Sequence, residues 1–75
     1  MSHFVEIDNT QKMKANRDKI EAYKALQANG IITNHIGHFP LLIWATTTDL
    51  RGKQLMSLCE GLPVRVYKID DIRGA

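Results

Sequence analysis

Eighteen consecutive residues, Ile31 to Thr48, contain no Asp, Glu, Lys or Arg, and they sit in the middle of a chain of 75. Such a block must supply much of the buried surface, because a domain this small covers only about 60% of what its unfolded chain exposes. Ile31, Ile32, Thr33, Ile36, Phe39, Ile43 and Trp44 give it a β-branched and aromatic character, which favours strands. Gly37-His38 divides the block, and glycine at the first central position of a two-residue loop suits a type II′ turn. The block is therefore predicted to be a hairpin of strands Ile31 to Ile36 and Phe39 to Thr46. Pro40 lies near the turn, where a missing ladder partner leaves the middle of the strand intact.

The flanks carry clear punctuation. Phe4, Val5 and Ile7 predict a first strand over His3 to Ile7, ended by Asp8-Asn9-Thr10. Asp8, Asn9 or Thr10 can cap a helix, and Asp8 with Gln11 approximates a capping box, so a helix is predicted from Thr10 to Asn29. Asn29-Gly30 is its expected stop, with Gly30 left-handed. Met13, Ile20, Tyr23 and Leu26 form its apolar stripe. Lys14 with Asp18 and Arg17 with Glu21 form i,i+4 pairs on the other side, a self-neutralising solvated face. Leu55, Leu58, Cys59 and Leu62 recur at i, i+3, i+4 and i+7, which predicts a second helix over Leu50 to Glu60, entered through the capping residues Thr46 to Asp49. Gly61 and Pro63 close it, and Val64 to Ile69 is predicted as a last strand, with Arg65 and Lys68 blunting an edge.

The order β-α-β-β-α-β implies an α+β fold of the ferredoxin-like, split βαβ type. Two helices would cover one face of a four-stranded antiparallel sheet, in the order 4-1-3-2. Right-handed crossovers would leave the second face bare. The alternative is a winged helix, with Leu50 to Glu60 as recognition helix and Val64 to Ile69 as wing, but it needs a third helix that the hairpin does not supply.

Residues 1–75 are too few for a second domain. Hydrophobic residues at 44% and charged residues at 24% mark a folding chain, not a disordered one. One Cys excludes an internal disulfide and multi-thiolate metal site and fits a reducing compartment. No basic stretch leads into an apolar run after Met1, so no signal peptide is expected, and the chain reads as a complete cytoplasmic product. Leu41 to Ala45, the longest apolar run, is too short to span a bilayer.

That run is the informative one. Leu41, Ile43 and Ala45 point to one face and Leu42 and Trp44 to the other, so whichever face meets the helices, large apolar groups remain on the second. The expected function is a non-enzymatic interaction module that homodimerises or docks on a larger protein through this face. It would act as a regulatory subunit or an inhibitor, including one encoded by a phage or plasmid, with Leu42 and Trp44 as anchors and Ile32 and Phe39 beside them. The alternative is a small nucleic-acid-binding regulator using Lys12, Lys14, Arg17, Arg51, Lys53, Arg65 and Lys68. A net charge of +2 makes scattered solvated charges the plainer reading of those seven. The third strand also lacks the basic-glycine-aromatic spacing of RNA-recognition modules.

Other signals are weak. His35-x-x-His38, with or without His3, has no carboxylate nearby in sequence to orient a ligand, so no metal is expected. Cys59 lies in an apolar stripe and reads as a core residue. Asp70-Asp71 are adjacent, so on a strand their side chains diverge. No cofactor, small-molecule substrate or membrane partner is expected.

Overall fold

Gly30 and Gly37 both adopt left-handed backbone, at φ of 79° and 85°. They bracket six residues that the sequence pattern assigned to a strand and that coil instead into a short helix. In the computed structural model, which describes residues 3–9 and 11–69, the elements run β1 (His3–Ile7), α1 (Met13–Asn29), α2 (Ile31–Ile36), β2 (Leu41–Thr46), α3 (Asp49–Leu58) and β3 (Val64–Lys68). The Gly37 N–H donates to the carbonyl of Thr33 at 2.8 Å, so this glycine's positive φ ends a helix and does not make a hairpin turn.

Losing the hairpin changes the topology. The three strands form one all-parallel sheet in the order β1-β2-β3. The ferredoxin-like arrangement is therefore corrected: the described residues hold three parallel strands and three helices, with no four-stranded antiparallel sheet. A winged helix is corrected with it, because although a third helix does exist, every strand pair is parallel. The physical reason lies in β2. An antiparallel partner needs only a tight turn, whereas a parallel one needs a crossover, and α1 with α2 supplies one between β1 and β2, as α3 does between β2 and β3.

Both crossovers step in the same direction across the sheet, so right-handed connection places their helices on the same face. α1 and α3 do touch. Under them lies one core of Ile20, Leu42, Trp44, Leu55, Cys59 and Leu62, closed by Phe39. Phe4 extends it, its ring 5.0 Å from that of Tyr23 and 6.1 Å from that of Phe39. Complete burial of one such large apolar side chain contributes about 1.5–3 kcal/mol, so Trp44, Leu42 and Leu55 account for much of what holds two layers together.

The element boundaries also shift. α1 begins at Met13, with Lys12 as its N-cap and no side-chain cap bond, three residues later than predicted. Thr10 lies outside the described residues, and Asp8 is no cap, since its carboxylate is committed elsewhere. Leu26 of the predicted stripe is exposed. α3 starts as expected: Thr48 caps it, its hydroxyl accepting from the Arg51 N–H at 3.2 Å. The described residues contain no helix long and apolar enough to cross a membrane.

Candidate functional site

Parallel strands bring their carboxyl ends to one side of the sheet, where open α/β sheets commonly hold ligands. Here that end is occupied by a closed polar cluster centred on Asp8, which follows β1 and is completely buried. Arg51 in the first turn of α3 grips it with two bonds, Nε to Oδ2 at 2.6 Å and Nη2 to Oδ1 at 2.8 Å. The Thr46 hydroxyl, at the end of β2, donates to Oδ2 at 2.6 Å, and Asn16 Nδ2 of α1 donates to Oδ1 at 3.0 Å. Gln11 donates to Asn16 Oδ1 at 2.8 Å, and Arg51 also donates to the Gln11 carbonyl at 2.6 Å.

The electrostatic consequence follows from those partners. The Arg51 guanidinium, with help from Thr46 and Asn16, outweighs the cost of burial and holds the Asp8 carboxyl down at about 2. Arg51 is held further into its charged form by the same carboxylate. Each oxygen of Asp8 has two donors, so the cluster is satisfied within itself and ties β1, α1, β2 and α3 together at one end. Its chemistry is that of a clamp. On the same helix-covered side of β1, Glu6 accepts from the Tyr23 hydroxyl at 2.7 Å and from Lys19 at 3.1 Å. Burial, and then the bond to Glu6, push the Tyr23 phenol up to about 12.

The second feature is the face of the sheet away from the helices. In-register pairing aligns Val5 with Ile43 and Arg65, and Ile7 with Ala45 and Tyr67. Val5 is 61% exposed, Ile7 59% and Tyr67 40%, while Leu41, Ile43 and Ala45 are half-buried only by their own neighbours. Among the described residues, Arg65 on the outer strand is the one Lys, Arg, Asp or Glu side chain that strand alternation directs to this face. An apolar face on a parallel sheet is unusual, because such sheets are nearly always covered on both sides.

The predicted interaction residues fall elsewhere. Leu42 and Trp44 are fully buried beneath the helices, Phe39 is buried and Ile32 is half-buried beside them. None of the four lies on the open face. Leu41, Ile43 and Ala45, the other half of the same alternation, do lie there. Val5, Ile7 and Tyr67 were missed, and the signal was present: Phe4-Val5 and Val64-Arg65-Val66-Tyr67 put apolar or aromatic groups on both faces of the outer strands. Asp8 was missed as a hub because a strand-end Asp looks like a cap, and its four donor groups, on Asn16, Thr46 and Arg51, come from positions 8 to 43 residues away.

The seven basic residues are not gathered into one patch. Arg51 is held by Asp8, Lys14 pairs with Asp18 at 2.9 Å and Lys68 lies 3.5 Å from Asp49. Lys12 and Arg17 belong to the start of α1, whereas Lys53, Arg65 and Lys68 line a groove between α3 and β3. His3, His35 and His38 are exposed, and among the described residues no three metal-capable side chains converge. Cys59 is buried, and that burial pushes its thiol up, away from the reactive thiolate. Asp70 and Asp71 lie outside the described residues. Comparison of the chain with protein-family models, with curated proteins and with solved structures yields no match.

Proposed function

We propose that the protein is a small non-enzymatic interaction module, acting in the cytoplasm, that closes the open face of its parallel sheet against a second copy of itself. The observation that carries the reading is the continuous apolar surface of Val5, Ile7, Leu41, Ile43, Ala45 and Tyr67 on a sheet type that is ordinarily covered on both faces. Two further points favour a second copy. The centre of the face, on β2, is neutral and apolar, so a two-fold arrangement brings no like charges together at its middle, and Arg65 can lay its stem on the apolar surface with its head in water at the rim. The two-fold dimer is also the commonest closed assembly of soluble proteins. Sheet-on-sheet packing at about 10 Å would then build a second core from the side chains now exposed.

The self-contained Asp8 cluster supports the non-enzymatic part, since its charged groups are spent on one another, and the buried Cys59 suits a reducing compartment. Sedimentation velocity over low-micromolar to millimolar protein is the test. Wild type should pass from monomer to dimer with a midpoint that added salt does not weaken, and Val5→Lys with Ile7→Lys should remain monomeric with an unchanged circular dichroism spectrum. A wild-type chain that stays monomeric at millimolar concentration contradicts the reading.

A further inference from the structure

The free edge of β3 and the adjoining side of α3 form a groove of about 740 Å³, which shares Thr46 with the clamp and Arg65 and Tyr67 with the edge of the apolar face. Among the described residues β3 pairs with β2 alone. The Leu42 N–H donates to the Pro63 carbonyl, so the alternation of a parallel ladder turns the N–H and C=O groups of Val64, Val66 and Lys68 outward, along the groove. The floor is apolar, from Val64, Val66 and Met56, and it opens at Gly52 in the middle of α3. Crowding does not demand that glycine: a Cβ would stand 3.5 Å from Val66 Cγ1 and 3.7 Å from Thr46 Cγ2, both ordinary contacts.

The rim is charged with one sign in excess. Lys53, Arg65 and Lys68 line it against Asp49 alone, and among the described residues neither Lys53 nor Arg65 has a carboxylate within ion-pair reach. We propose that this groove binds an extended acidic peptide segment of a partner protein, which adds to β3 as a fourth strand. Main-chain hydrogen bonds to Val64, Val66 and Lys68 would hold the segment, alternate side chains would enter the apolar floor, and a carboxylate would meet Lys53. Unpaired main-chain donors and acceptors in a row are what a peptide strand matches and a nucleic-acid backbone does not, which favours peptide over a single strand of DNA or RNA.

The test is fluorescence anisotropy with a labelled octapeptide of alternating Glu and Val, measured on wild type and on the Val5→Lys, Ile7→Lys double variant, so that the fate of the apolar face and of the groove are read separately. Both proteins should bind it. Affinity should fall at least tenfold for Lys53→Glu, and as much again when the peptide amides that face β3 are N-methylated, a control that leaves the protein untouched. The Val64, Val66 and Lys68 amides should gain protection from hydrogen exchange in the complex. Binding of an eight-residue oligothymidylate in place of the peptide overturns the proposal, as does an affinity indifferent to N-methylation or no binding at millimolar peptide. Binding seen only after removal of residues 70–75 overturns it too, since the acidic Asp70-Asp71 end of the chain itself would then be the occupant.

Discussion

β2 presents two faces that are equally apolar in sequence and opposite in fate. Leu42 and Trp44 disappear beneath α1 and α3, while Leu41, Ile43 and Ala45 look out between Val5, Ile7 and Tyr67. Burial under helices turns one set into the core on which folding depends, whereas among the described residues no second layer covers the other set. The difference is made by connection handedness alone, because two right-handed crossovers stepping in one direction cannot cover both faces. A neutral apolar strand is thus no guide to which of its side chains will meet a partner.

The largest effect is expected where the covered face is broken. Trp44→Ala should cost about 3–5 kcal/mol through loss of packing and the cavity left behind, read as a lower urea midpoint, and Trp44→Asp should leave no folded monomer by circular dichroism. A folded Trp44→Asp monomer would put Trp44 at an interface and exchange the roles of the two faces. The indole Nε1–H is buried without an acceptor among the described residues, so Trp44→Phe should be milder than its lost area suggests, having removed an unmatched donor.

The clamp at the carboxyl end comes next. Asp8→Ala removes the partner of a guanidinium held in a part-buried site and should destabilise by about 3 kcal/mol, measured by urea denaturation at neutral pH. Acid tests the same carboxylate. Its folded value near 2 lies below the 3.8 of the free group, so the folded state binds its proton later than the unfolded one. The stabilisation, about 2 kcal/mol, is complete above pH 4 and is lost as pH falls through 2. The Asp8→Asn variant should show a flatter decline over that window, and a decline as steep as that of wild type would assign acid sensitivity to other groups.

Smaller effects sharpen the contrast. Gly52→Ala removes a helix-interior glycine without a clash and should stabilise by about 0.5–1 kcal/mol. On the open face, Ile7→Lys should change monomer stability by no more than about 0.5 kcal/mol while weakening self-association more than tenfold. A loss of stability as large as that of Trp44→Ala would show Ile7 to be core.

Much of the fold could be read from the chain, and the errors share one cause. His3–Ile7 has the predicted bounds, α1 ends at Asn29 as predicted, and α3 and β3 end within two residues of expectation, because Asn29-Gly30, the Thr48 cap and Gly61 with Pro63 act locally. The hairpin failed where two structures share one signal: Gly37 has positive φ either as a type II′ turn residue or as the cap of a short helix. Ile32 and Ile36 are one helical turn apart, and that spacing separates the two cases only weakly in six residues. Once Ile31–Ile36 is helical, β2 lacks its turn partner and the sheet becomes parallel. The run from Leu41 to Ala45 held the corrective clue, since a strand apolar on both faces is the mark of a parallel sheet. Which face stays open, and the convergence of Asn16, Thr46 and Arg51 on Asp8, depend on tertiary arrangement and have no local signature.

The central claim, that the open sheet face is closed by a second copy of the chain, is tested most directly by isotope-filtered NMR on a mixture of labelled and unlabelled protein. The account predicts intermolecular contacts from the Val5, Ile7 and Ile43 methyl groups at concentrations where the dimer is populated, and none from Leu42 or Leu55. Intermolecular contacts confined to the helices, or none from the three sheet-face methyls in a sample that sediments as a dimer, would contradict it.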